Sequence, residues 1–233
     1  MKLRPNSIDA SSIADIAFLL LAFIILSTTL ESEEGIPAKL PEKNSVDDPI
    51  PIVKNERDVL EIYVNKANEI MIEGEQDKFL SDVNLSVMEF LTNKQNGENL
   101  PKLDLVNEIT CKANIGRLIG LETHGKFIDK NDLKLWEERY EAFKLIGEFK
   151  TVNKEATIGL EYDATARYGT YLSVRDELMN GINQLRNHLC LDKFGVSFTE
   201  LSAKREAVRT AEDIARIKAV RTVYPQRIIK KKV

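Results

Sequence analysis

The sequence predicts an α+β fold: one amino-terminal transmembrane helix, a Pro-rich tether, and a small β-sheet packed with helices on one face. Three observations carry this. An unbroken apolar run, Ile16 to Leu26, follows a basic amino terminus with Lys2 and Arg4. Four prolines, Pro37, Pro41, Pro49 and Pro51, crowd the stretch behind it. Beyond them the apolar period switches between two residues and three to four, as strands and helices alternate.

The first element is the spanning helix, expected over 8–30 after a short cytoplasmic terminus, 1–7. At 1.5 Å per residue it reaches roughly 30 Å, enough for the hydrocarbon core. Asp15 falls inside it. A charged side chain in a span costs about 2.5–3.5 kcal/mol on insertion scales, so one that persists faces protein or water and marks an ion or proton path. Two other readings fit parts of the pattern. Lys2 and Arg4 before an apolar core also describe a secretory signal, although Ser27-Thr28-Thr29-Leu30-Glu31 offers no A-x-A-like cleavage site. A carboxylate is also favoured at a helix start by the dipole, a role that Asp9 suits better. Basic residues precede the run and Glu31, Glu33 and Glu34 follow it, so the amino terminus is expected in the cytoplasm and the rest outside it.

Residues 31–58 form the tether, where dense proline blocks helix and favours extended chain. The folded part, 59–233, opens with Leu60, Ile62 and Val64 alternating onto one face of a strand. Asn65-Lys66-Ala67-Asn68 is a turn, Glu69 to Ile72 a second strand, and Gly74 closes the hairpin. From Lys78 the period changes: Phe79, Val83, Val87 and Phe90, with Leu80 and Leu91, make a helical stripe ending near Asn96-Gly97. Residues 95–154 are expected to be a helical insertion. Within it Leu133, Trp136, Tyr140 and Phe143 predict a helix over 131–146, capped by Asn131 or Asp132, with its aromatics in the core. Ile158, Leu160 and Tyr162 then share one face of a strand. A long helix follows from about Thr170 to Cys190, with Tyr171, Val174, Leu178, Ile182, Leu185 and Leu189 along one stripe. A short apolar piece around Val196 and Phe198, a last helix over 202–222 stopped by Pro225, and one more strand complete the domain.

Composition narrows the function. The 233 residues are 43% hydrophobic and 30% charged, with a net charge of −4 that argues against general nucleic-acid binding. The last stretch departs from that balance: Lys204, Arg205, Arg209, Arg216, Lys218, Arg221, Arg227, Lys230, Lys231 and Lys232 face only Glu206, Glu212 and Asp213. A solvated helix face with a basic tail accounts for it, and so does a specific anionic partner. Cys111 and Cys190 are either a disulfide or two buried thiols. His124 and His188 are the only histidines and lack ligand spacing, so no metal is assigned. No Ser/His/Asp set, phosphate loop or paired acid cluster points to an enzyme.

Several segments also resemble a known family. Ser12-Ile13-Ala14-Asp15-Ile16-Ala17-Phe18-Leu19-Leu20-Leu21, followed by Ser27-Thr28-Thr29, is similar to the membrane segment of the biopolymer transporter family ExbD/TolR, especially its Bacteroidetes branch. After Phe23 the run departs from that family's double Phe. Further similarity lies in Gly35-Ile36-Pro37, Leu40-Pro41, the strands around 62–72, and Tyr168-Gly169-Thr170-Tyr171. It is strongest after the anchor in Asn183-Gln184-Leu185-Arg186-Asn187, Lys193-Phe194-Gly195, Phe198, Leu201 and Val223-Tyr224-Pro225-Gln226-Arg227-Ile228. Residues 95–154 lie outside it.

The resemblance implies a non-enzymatic, single-span inner-membrane subunit with a periplasmic ExbD/TolR-like domain. It implies a homodimer inside a pentameric ring of an ExbB- or TolQ-like polytopic protein, driven by the proton motive force. Energy passes to a TonB- or TolA-like protein, with no cofactor beyond protons as coupling ion. Asp15 matches the family's proton-bearing aspartate. Two other readings are a membrane-tethered periplasmic binding or scaffold protein without proton transfer, and a secreted protein whose signal is removed.

Overall fold

The structure, a computed structural model, describes residues 14, 16–23, 55–126, 128–205 and 208–232. The chain divides into two units, 1–52 and 53–233. In the first, residues 14 and 16–23 are helical, with Ile16, Phe18, Leu19, Leu20, Leu21 and Phe23 all exposed. Asp15, the rest of the expected span and the tether up to residue 54 lie outside the described residues. Among the described residues no helix is long and apolar enough to cross a membrane.

The second unit opens with a 3-10 turn, Glu56–Asp58, and then β1 (Val59–Val64), β2 (Ile70–Ile72) and β3 (Glu75–Lys78). Helix α1 (Leu80–Thr92) follows, then β4 (Leu103–Val106), α2 (Glu108–Thr123), α3 (Lys130–Ile146) and β5 (Phe149–Val152). The chain continues through β6 (Thr157–Tyr162), α4 (Tyr168–Phe194), α5 (Phe198–Ala203), α6 (Ala211–Val223) and β7 (Ile228–Lys232). Five strands form one mixed sheet in the order β3-β2-β1-β6-β7; β4 and β5 form a separate antiparallel pair. β1 and β2 make the expected hairpin, with Ile62 opposite Ile72, and β1 pairs in parallel with β6 along its whole length.

Alternation decides which face of the sheet is covered. Leu60, Ile62, Val64, Ile158 and Leu160 point to one side and are buried with Val83, Val87 and Phe90 of α1 and Val174, Leu178 and Ile182 of α4. Each such side chain contributes about 1.5–3 kcal/mol relative to exposure. The two helices touch closely where Gly181 faces Asn84: a Cβ at Gly181 would lie 3.0 Å from the Asn84 carbonyl oxygen. Asn84 is itself held there, its side-chain amide donating to Glu177 at 2.9 Å. Gly181→Val should therefore force α1 from α4 and lower stability by about 2–3 kcal/mol, well beyond the helix-propensity gain of losing a glycine. Chemical denaturation of the full chain checks it, and an unchanged midpoint would show that the helices separate freely.

Several boundaries differ from expectation. Phe79 and Leu80 are not core residues: Phe79 is 73% exposed, because it precedes the first helical residue in extended backbone and helical periodicity does not yet apply. Lys78 belongs to β3, which pairs with β2 after a turn through Glu73 and Gly74, both at positive φ. α1 stops at Thr92 because Asn93 is left-handed, its side chain donating to the Pro101 carbonyl and accepting from the Gly97 N–H. The cap of α3 is Asp129, whose carboxylate accepts the Asn131 N–H at 2.9 Å; Asn131 and Asp132 are already in its first turn. The expected last helix is two, α5 and α6, each started by its own capping box, Ser197 with Glu200 and Thr210 with Asp213.

The middle segment is richer than one helix. β4, α2 and β5 join α3, and their side chains share a second core with the end of the chain. Val106, Cys111, Ala142, Ile146 and Phe149 are buried together with Cys190, Phe198, Leu201, Ile217, Val220 and Val223. Trp136, Tyr140 and Phe143, expected in the core, are half-buried and pack against the edge of this cluster.

Candidate functional site

Asp15, the one sequence-predicted site residue, lies outside the described residues, although residues 14 and 16–23 around it are helical. The described unit has a cleft of about 810 Å³ where β2 and β3 meet the start of α4. Asn68 builds it. This residue takes φ +67, a left-handed conformation that asparagine tolerates, and its side-chain oxygen accepts the backbone N–H of Arg167 at 2.7 Å. Arg167 is the cap residue of α4 but supplies no side-chain cap of its own, so Asn68 satisfies that helix start from across the cleft.

The cleft is amphipathic. Exposed Phe79 and Leu80 line it beside Lys78, Arg167 and Thr170. Ser173 is also there, but its hydroxyl donates to the Gly169 carbonyl at 3.1 Å and no histidine lines the cleft to activate it. The arrangement is an apolar surface with polar edges. Among the described residues no cluster of His, Cys, Asp and Glu could hold a metal ion. His124 and His188 are both exposed.

Cys111 and Cys190 form no disulfide; both are buried and free. Burial pushes the Cys190 thiol up to about 11 and raises Cys111 as well. Both therefore stay protonated near neutral pH and act as small core side chains.

The segments singled out around 168–171 and 183–228 hold the fold together. Tyr171 is buried, its ring centre 4.7 Å from that of Tyr162 and 5.7 Å from that of Tyr168. Arg186 donates twice to the Tyr224 carbonyl, at 3.1 and 2.8 Å, and its guanidinium lies over Phe198. Asn187 accepts both the backbone N–H and the hydroxyl of Thr199. Two adjacent residues of α4 thus fasten α5 and the approach to β7.

A family model described as biopolymer transport protein ExbD/TolR matches residues 2–187. The chain belongs to the ExbD/TolR family. Neither the curated proteins nor the solved structures give a match. The ExbD/TolR match begins ahead of Asp15, runs through the sheet and across 95–154, and stops inside α4. It includes the middle segment, which the motif resemblance left out, and excludes α5, α6 and β7, where that resemblance was strongest. ExbD/TolR proteins are inner-membrane accessory subunits of biopolymer transport, not enzymes, and work with ExbB- or TolQ-type and TonB- or TolA-type proteins. The small sheet with several helices agrees with such a domain.

Sequence reasoning missed the role of Asn68 and the exposure of Phe79. The first had a signal, an asparagine closing a turn. The second had a misleading one, since Phe79 matches the stripe of α1 in spacing alone.

Proposed function

We propose that this chain is the single-span inner-membrane subunit of an energy-transducing complex of the ExbB–ExbD or TolQ–TolR type, driven by the proton motive force. The observation that carries this reading is the family match, which includes the position of Asp15. Asp15 is the proton-bearing group. A carboxyl group crosses apolar surfaces at low cost when protonated and seeks water or a polar partner when ionised. The exposed Ile16, Phe18, Leu19 and Leu20 suit an environment of lipid and apolar ring helices.

In this reading the amino terminus is cytoplasmic and the domain from Val59 onward is periplasmic. Two copies of the chain sit within a ring of an ExbB- or TolQ-like protein. Proton entry on one side and exit on the other biases their movement, which reaches a TonB- or TolA-like transducer serving the outer membrane. Isolation from membranes in mild detergent is expected to recover the chain with a polytopic ExbB-like partner and in more than one copy per assembly. Recovery of a lone monomer under the same conditions overturns the reading.

A further inference from the structure

Helices α3 and α6 enclose a groove of about 540 Å³ whose charge is the reverse of the chain's. The whole protein carries −4, yet Arg209, Lys218, Arg221 and Arg227 line this groove, and among the described lining residues Glu138 is the only carboxylate. Lys218 lies 3.4 Å from Glu138. Arg227 gives one N–H to the Asn153 carbonyl at 2.6 Å. Arg221 is exposed and meets no carboxylate among the described residues within 4.0 Å; its guanidinium lies 5.8 Å from the centre of the Phe198 ring. Between the cations the groove is apolar, with Leu135, the exposed Ile214 and Pro225.

Two buried arginines outside the groove lining, Arg139 and Arg186, interact with its cations. Arg227 is held below the usual arginine range mainly by burial, with the charge of Arg139 also lowering it and Asp104 and Glu155 partly offsetting this. Burial and the charge of Arg221 bring Arg186 down to about 10. Packed guanidiniums of this kind create a positive potential that a bound anion relieves.

We infer that the α3–α6 groove is a docking site for an acidic peptide segment of a partner protein, in which carboxylates alternate with aliphatic side chains. Guanidinium forks match carboxylates in bidentate geometry, and the apolar lining between them takes the intervening side chain. A free inorganic anion would leave Ile214 and Pro225 in water. A flat lipid surface does not enter a groove between two helices. Lys218, Arg221 and Arg227 follow residue 187, beyond the family match, whereas Leu135 and Glu138 on the opposite wall lie within it.

The test uses the full chain in nanodiscs of neutral lipid and a short dye-labelled peptide of alternating Glu and Leu, with alternating Gln and Leu as control. Saturable binding of the Glu peptide is expected, weakening with added salt and by at least about tenfold in a Lys218→Glu, Arg221→Glu double variant. Both side chains are exposed, so the variant keeps its fold, which an unchanged melting temperature verifies. Equal binding of the Gln peptide, absence of saturable binding, or an unaffected double variant overturns the inference. So does displacement of the peptide by low-millimolar inorganic phosphate, which would reduce the site to a simple anion hole. Charge-dependent binding to phosphatidylglycerol vesicles without peptide binding would assign the groove to membrane instead.

Discussion

Asp15→Asn is expected to reduce proton-motive-force-dependent uptake to the level of cells lacking this chain. Asparagine is nearly isosteric and cannot exchange a proton at physiological pH, so the variant should accumulate in the membrane and bind its partners while losing the drive. In the proposed mechanism the energy at stake is set by the field: a charge crossing it gains about 2.3 kcal/mol per 100 mV, and without a titrating group none of this would reach the helices. Asp15→Glu keeps the carboxyl group one methylene further out and should restore part of the activity. The paired variants separate proton transfer from mere anchoring, since a tether or scaffold would tolerate both. Uptake at the wild-type level in the asparagine variant would remove Asp15 from any proton path.

The second large effect concerns stability. Arg139 is 2% exposed, and its guanidinium joins three elements: Asp104 of β4 at 2.9 Å, the Val152 carbonyl of β5 at 3.3 Å, and the Trp136 ring, 4.6 Å away on α3. Asp104 is 37% exposed, so the two partners stand in unequal surroundings. Asp104→Ala would leave a buried cation with one carbonyl and repulsion from Arg227, at a cost of about 2–4 kcal/mol. Arg139→Met keeps much of the packing and lets Asp104 turn to water, at a cost of about 1 kcal/mol. Denaturant unfolding of both variants should rank the alanine substitution as the more damaging. The reverse order would show that the arginine acts through its stem and not its charge.

The sequence revealed the regular parts of the domain and concealed the joints. β1, β2, β6 and α4 were legible because each buries one face against the same core, so hydrophobic period and burial coincide. α2 was not: Gly116 and Gly120 interrupt it, only Cys111 and Leu118 of its side chains are buried, and Ile109 is exposed, so no stripe stands out. β4 and β5 are short and pair only with each other, which no local pattern encodes. The basic groove was visible as an excess of Lys and Arg after residue 200. Its shape was not, because Leu135 and Glu138 come from far earlier in the chain. Asp15 shows the opposite case: the sequence alone singled it out, through its cost in an apolar run.

The position of β1 has a mechanical meaning. This strand is the first of the folded unit, so under the proposed tether a pull along the preceding chain would arrive at its amino-terminal end. β1 is also the middle strand of five, hydrogen-bonded to β2 on one side and to β6 along its whole length on the other. A pull along its axis loads both ladders in shear, sharing the load among many hydrogen bonds at once. An edge strand in the same role would peel away one bond at a time. The folded unit therefore begins on an interior strand of its sheet and not on an edge.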